Sequence, residues 1–539
     1  MKKINIILVT LILFAGCAKI VTPVGGPKDI APPIIVKTNP INGLTNYNSK
    51  SIKISFNEYV TLNNPIENII FSPPLAVPPT YILQGKSLVI KFKESLLANT
   101  TYNIIFADAI KDFTEGNILP LYQYSFSTGN IIDTFKLKGV LLNSSTTLPE
   151  KGVFVFLYHE NIDSLPLTSR PTYLTKTKQD GTFQFQNIKQ GSYKIFALKD
   201  INSNLIYDLP NEEIAFSDNL VHTDSITLYE LAFFKEEDQV QQILNPINPQ
   251  KGCYKIPLKK PNSGKKSAKT SILYPPNINF YLDVNHTFDT LSYYFYDDFE
   301  DSVVLQLEIQ EWGIIDTLTF MPYKSNKLPR NKNLVNSKLN INVAHAGELY
   351  EKLTLHFSYP IKPNSNIETI IIKELNNSID TTIERFSLQG EFLDNFRIPF
   401  SFEPKASYTI LFKDSLFFGH NGLTNDSLEV NFTTKSERDY GSLSMYYEIS
   451  DQSINYLILL LDGNNRIIQK NTISDSQNIQ YEHLNPGNYK VKVVFDKNGN
   501  GLWDTGNYIR NTQPEKIIYF DKSITIRGFW DLEESFIIN

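Results

Sequence analysis

Two stretches of the chain carry acidic and amide side chains at the spacing D-x-N-x-N-x-x-x-D. In "FDKNGNGLWDTGNY" these are Asp496, Asn498, Asn500 and Asp504, and in "LKDINSNLIYD" they are Asp200, Asn202, Asn204 and Asp208. Calcium takes about six to eight oxygen ligands, and EF-hand loops deliver them from fixed places with a glycine at the sixth. Counted from Asp496, those places hold Asn498, Asn500, the Leu502 carbonyl, Asp504 and Asn507, and Gly501 stands sixth. The other copy has Leu205 where the glycine would be, with Glu212 and Glu213 nearby to add charge. Only two of the ligands in each set are carboxylates, and Lys497 partly offsets one pair, so modest calcium affinity is expected. The competing reading needs no ion, because Asp and Asn side chains cap their own backbone in Asx-turns.

No catalytic arrangement stands beside these loops. The seven histidines, His159, His222, His286, His345, His356, His420 and His483, are scattered without H-E-x-x-H spacing, and no G-x-S-x-G elbow occurs. A zinc site or a serine nucleophile therefore has no local support. Carboxylate pairs remain, because glycosidases set two acids across a sugar. "YYFYDDFEDS", residues 293–302, offers Asp297, Asp298, Glu300 and Asp301 beside aromatic rings. Neighbouring side chains on an extended strand point to opposite faces, so this stretch reads as a strand ending in an acidic turn. Its rings leave a carbohydrate-binding or adhesion role as the alternative, centred on Tyr293 and Tyr294, and a hydrolase in the same middle region as a further one. The loop "KKPNSGKKSAK", with Lys259, Lys260, Lys265, Lys266 and Lys269, reads as a solvated segment, the alternative being contact with anionic headgroups or a polyanionic polymer.

The elements that position these residues are strands and turns. Aromatic residues make up 12% of the 539, with 29 Pro and only 3 Met, a composition that suits strands and gives little material for long amphipathic helices. That length implies several domains of about 100–200 residues each. A formal net charge of −6 argues against a nucleic-acid partner. At the start, Lys2 and Lys3 precede an apolar run from Ile4 to Phe14, short of the roughly 20 residues a bilayer span needs, and it reads as a secretory signal. Phe14-Ala15-Gly16-Cys17 resembles a bacterial lipobox. The resemblance implies a diacylglycerol on Cys17 and acyl anchoring, palmitate included, without a membrane span. Cys253 is the only other cysteine, so no intrachain disulfide is expected.

Beyond the Pro/Gly-rich tether of residues 17–31, short alternating strands begin. "SIKISF" sets Ile52, Ile54 and Phe56 against Lys53 and Ser55, the pattern of a half-buried strand. Pro40, Asn42, Gly43, Phe56, Glu58, Leu97, Asn99, Thr100, Tyr102, Asp112, Gly116, Asn117, Phe126 and Thr128 resemble the motif of the bacterial Ig-like domain of surface-layer proteins. Next, "DGTFQFQNIKQGSYKI", Asp180 to Ile195, resembles the transthyretin-like, carboxypeptidase-regulatory β-sandwich. Both patterns recur. "KLTLHFSYPI", "FSFEPKASYTILFKDSLFFGHNG" and "LEVNFTTKS" parallel the first module, and "NIQYEHLNPGNYKVKVVFDKNGNGLWD" parallels the second, with Gly487 for Gly191 and Tyr489 for Tyr193.

The expected architecture is therefore all-β, a pair of sandwich modules occurring twice around a β-rich middle module whose strand order the sequence leaves open. The boundaries are a signal peptide at 1–16, the tether at 17–31, an Ig-like domain at 32–129, a transthyretin-like sandwich at 130–243, the middle module at 244–337, a second Ig-like domain at 338–436 and a second transthyretin-like sandwich at 437–539. The resemblance implies a non-enzymatic, lipid-anchored structural or interaction component of a Gram-negative outer membrane, with accessory service to an outer-membrane protein complex as the specific role. The expected partners are the membrane and a protein, with a glycan as the alternative. The sequence leaves open which face of that membrane it occupies.

Overall fold

A computed structural model describes residues 29–120, 122–223, 228–237, 241–261, 268–285, 287–296, 299–322, 338–362, 367–386, 393–420 and 422–539. The expected signal peptide and Cys17 lie outside them. The chain is all-β, built of tandem sandwich modules. It divides into two compact units, Met1–Glu236 with Thr505–Pro514, and Glu237–Asp504 with Glu515–Asn539.

In the first unit, the strands Ile35–Asn39, Ser51–Phe56, Ser87–Lys91 and Thr80–Gln84 form one sheet in that order, and Ile69–Ser72, Thr101–Phe106 and Tyr122–Ser127 form another. Their inner faces share one core, which holds Ile52, Ile54 and Phe56 with Tyr102, Ile104 and Phe126. The alternation in "SIKISF" is thus the alternation of the pleat, and each such side chain contributes roughly 1.5–3 kcal/mol by burial. The Asp112 turn closes this module. Its carboxylate accepts the backbone N–H groups of Thr114, Glu115, Gly116 and Asn117. Burial works to raise its pKa, and those donors outweigh burial and hold it below the ordinary carboxylate value.

The next sandwich begins with Phe135–Asn143, which pairs antiparallel with Thr182–Ile188 and parallel with Tyr229–Lys235. Phe154–Tyr158 lies between Tyr173–Lys176 and Ser192–Leu198, and the latter also pairs with Glu213–Phe216 and Val221–His222. Asn103 of the first module accepts hydrogen bonds from Gln123, Ser125 and Asn187 and donates to the Gln186 carbonyl. That amide satisfies the polar seam between the two modules of this unit, where unpaired groups would be costly.

The second unit repeats both plans. Gly441–Ile449 pairs antiparallel with Gln477–Leu484 and parallel with Asp531–Ile538, and Asn455–Asp462 lies between Ile467–Ile473 and Gly487–Asp496. The Tyr489 hydroxyl donates to the Asn485 carbonyl at 2.7 Å, as Tyr193 donates to Lys189 at 2.9 Å. In the earlier module of this unit, Tyr408 accepts the Glu403 N–H and Thr434 donates to the Glu403 carbonyl. Tyr102, Thr128 and Leu97 do the same in the first unit.

One strand differs between the copies. Thr80–Gln84 pairs with Ser87–Lys91, whereas Ser378–Phe386 remains on the neighbouring strand Ile367–Leu375. The local residues account for this. Asn376 and Asn377 both take positive φ, 51° and 65°, the tight hairpin geometry that Asn tolerates. In the other copy the connection is "PPLAVPP", whose prolines cannot donate to a ladder.

The middle region has two antiparallel sheets. One runs Ile247–Gln250, Cys253–Pro257, Thr290–Phe295, Phe280–Val284, and the other Ala268–Tyr274, Val303–Ile309, Ile314–Phe320. Tyr293 is fully buried and Tyr294 is 8% exposed, so these rings are core and form no exposed platform for a sugar. Glu300 and Asp301 are exposed, while Asp297 and Asp298 lie outside the described residues. Of the lysines, Lys260 is buried, with its N–H on Gln241, its ammonium 3.5 Å from Glu237 and its head over Trp312. It is no part of a solvated cluster. Lys259 and Lys269 are exposed, and Lys265 and Lys266 lie outside the described residues.

Cys253 is a free buried thiol, pushed up to about 11 chiefly by burial. His420 is also buried, beside Tyr294, Tyr296 and Tyr359. Burial depresses its pKa from 6.5 to about 4. A depressed histidine stabilises the fold above its ordinary pKa, and that contribution is lost as pH falls toward 4. Melting of the second unit should therefore drop between about pH 6.5 and 4. His420→Phe should flatten that part of the profile. An unchanged pH slope in the variant would rule out this histidine as its source.

Candidate functional site

Each D-x-N-x-N loop leaves the sandwich strand that follows the G-x-Y turn, Ser192–Leu198 in one copy and Gly487–Asp496 in the other. Asp496 is fully buried. One of its oxygens accepts the N–H groups of Gly499 and Asn500, at 2.7 and 3.1 Å, and the other accepts Gly501 at 2.8 Å. Asn498 and Asn500 each accept the N–H two residues ahead. Both amide NH2 groups donate to one oxygen of Asp504, at 2.7 and 2.8 Å. The Asp200 loop repeats most of this set, with two N–H groups on its first aspartate and the two amides on different oxygens of its last. Asp200 accepts Asn204 and Leu205, Asn202 and Asn204 accept the N–H two residues ahead, and both amides donate to Asp208. These are nested Asx-turns.

The turn demands left-handed backbone at two places. Gly499 and Gly501 supply it in one copy, whereas Ser203 and Leu205 adopt φ of 61° and 63° in the other. Leu205 does without the glycine because its N–H is held by Asp200 and its side chain packs on a hydrophobic cluster.

Each loop is closed by a glutamate, of which sequence reasoning named Glu212 only as nearby charge and missed Glu515 altogether. Glu212 is fully buried and accepts the N–H groups of Ile201, Asp208 and Leu209. Glu515 takes the equivalent place, accepting Lys497 and Asp504. Burial raises the Glu515 pKa, and Asp504 and Asp496 add to the rise. The signal lay in aligning the two copies on their last Asp. Glu212 follows Asp208 after three residues, "LPN", whereas Glu515 follows Asp504 after ten, "TGNYIRNTQP".

The structure gathers Asp496, Asn498, Asn500, Leu502 and Asp504 in one turn. Asn507 instead lies in Thr505–Pro514, a segment of the first unit, where its side-chain oxygen accepts the Arg510 N–H and its backbone pairs with Thr512. For calcium, the Asn498 and Asn500 amides would have to rotate so that their oxygens face Asp504, and Lys470 already donates to the Gly501 carbonyl at 2.5 Å. Among the described residues no group of three His, Cys, Asp or Glu is placed to hold a metal.

Residues 29–128 match the family model of the bacterial Ig-like domain. No curated protein matches the chain. Among solved structures, it is similar to native alpha-2-macroglobulin from Escherichia coli spanning domains MG0-NIE-MG1, at 10% identity over 48% of this chain and 95% of that one, with a TM-score of 0.19. It is also similar to the S-layer protein rSbsC(31-844), at 12% identity over 91% and 67% with a TM-score of 0.14. The BSP domain of a biofilm associated protein gives 8% identity over 95% and 99%, with a TM-score of 0.14. At these scores the likenesses carry no argument about function.

Asp496→Ala removes the acceptor for three N–H groups and should cost about 1–3 kcal/mol. Hydrogen exchange of residues 497–502 reports the loosening, and unchanged protection there would show that the loop holds without Asp496.

Proposed function

We propose that this chain is a structural or protein-interaction component of a bacterial envelope, anchored to an outer membrane through lipid on Cys17 and accessory to a protein complex there. The observation that carries this reading is how the reactive-looking acids are used. Asp112, Asp200, Glu212, Asp496 and Glu515 each accept backbone N–H groups of the turns they close. Residues with the right types for chemistry thus stiffen loops between sandwich strands, the work of a scaffold. The bacterial Ig-like match at residues 29–128 agrees with such a role, although fold alone never fixes function.

Calcium enters this reading as a reinforcement of the Asp496 loop, with Asp496, Asn498, Asn500, the Leu502 carbonyl and Asp504 supplying oxygen, and more weakly of the Asp200 loop. With two carboxylates in each turn, binding is modest. The buried Tyr293 and Tyr294 leave the carbohydrate-binding reading without the surface on which it rested.

Two experiments test this. Mild cross-linking followed by affinity purification of the C-terminally tagged full chain should recover a defined set of outer-membrane proteins, and Cys17→Ala should abolish the recovery. Recovery of none, or equal recovery from the Cys17 variant, would overturn the anchored docking role. Melting with calcium and then with chelator should shift the midpoint upward with the ion, and identical midpoints would remove calcium from the account.

A further inference from the structure

The ten residues between Asp504 and Glu515 are the largest difference between the two D-x-N-x-N loops, and they belong to the first unit. Within that unit they are held by several independent contacts. Tyr508 is 5% exposed, and its ring stands edge-on to Phe196 and Phe216, both at 5.0 Å. Tyr207 and Phe234 belong to the same cluster. The Tyr508 hydroxyl donates to the Asp163 carbonyl at 2.8 Å, its N–H donates to Glu236, and the Lys194 ammonium lies 5.6 Å from the ring. Gln513 forms a second anchor, its amide donating to the Phe216 carbonyl at 3.1 Å and to Asp218 at 2.7 Å. Thr505 donates to the Lys235 carbonyl at 2.7 Å.

These features have the anatomy of a recognition site. A buried aromatic anchor fills a desolvated pocket, with polar contacts around it. The inserted segment is shaped for that pocket. Asn507 and Thr512 exchange backbone hydrogen bonds, and Asn511 donates to the Tyr508 carbonyl, so the turn is preorganised. Ile509, the next residue, is 78% exposed. The turn therefore inserts the tyrosine and leaves the aliphatic side chain outside, a choice that hydrophobicity alone would not make. Gly506 permits the approach, since a Cβ there would lie 2.5 Å from the Phe234 ring.

We propose that the Phe135–Lys235 sandwich carries a receptor socket for a tyrosine-bearing turn, and that Thr505–Pro514 is its ligand in cis. The socket recognises Tyr508 through its ring and hydroxyl and Gln513 through its amide. The Asp208–Glu212 link shows that the loop can close without such an insertion, so the extra residues serve the socket.

The test vacates the socket in the full chain by replacing Thr505–Pro514 with the "LPN" link of the other copy. A synthetic peptide of sequence TGNYIRNTQP should bind this variant saturably. The same peptide with alanine for tyrosine should bind at least tenfold more weakly, and the wild-type chain, whose socket is filled, should not bind either peptide. Absence of peptide binding by a folded variant, or equal binding of both peptides, would overturn the proposal. If the variant does not fold, Tyr508→Phe and Tyr508→Ala in the intact chain decide the matter by hydrogen exchange at residues 194–198 and 214–216. Loss of protection in the alanine variant, with most of it kept in the phenylalanine variant, is expected, and unchanged protection in both would overturn the socket. Concentration-dependent dimers of the wild-type chain that Tyr508→Ala abolishes would show that the socket is filled by a second copy and overturn the assignment in cis.

Discussion

A carboxylate taken out of water without a cation beside it persists only where N–H groups replace its hydration. That constraint governs the turns of this protein. Asp112 accepts four backbone N–H groups, Asp496 three and Glu212 three. Each acid fixes several residues of a loop that has no ladder of its own. The loops in turn set where the next strand re-enters its sheet, and the sandwich cores depend on that register.

The recurrence of the turn makes the constraint visible, because its two occurrences solve it with different residues. The Asp200 loop tolerates Leu205 at positive φ where its counterpart uses Gly501, and the two closing glutamates stand at different distances along the chain from their aspartates. The sheet assignments diverge as well. Glu213–Phe216 pairs with Tyr229–Lys235 and joins the strands of the first copy into a single sheet, whereas in the second copy they form two. The parallel pairing of first and last strands is common to both copies. It closes each sandwich through contacts distant in sequence.

Much of the fold was legible because its signals are local. Alternation in "SIKISF", the G-x-Y turn before each loop and the D-x-N-x-N spacing depend on residues within one strand or turn. The candidate site was legible to the same extent. Its Asx-turn residues could be named, but Glu515 could not, since ten residues separate it from the turn that it closes. The aromatic run at Tyr293 misled for a related reason. A ring's identity is local, whereas its exposure is set by the sheet that covers it.

The all-β class, the tandem run of sandwich modules and the identity of the loop-forming Asp and Asn residues were legible in the sequence, because pleat period and turn chemistry act between near neighbours. What the tertiary structure added is that Tyr293 and Lys260 are buried, and that Tyr508 packs against Phe196 and Phe216, some 300 positions earlier in the chain. The physical reason is common to both. Burial and pairing are relations between distant segments, and their free energy exists only once those segments have been brought together.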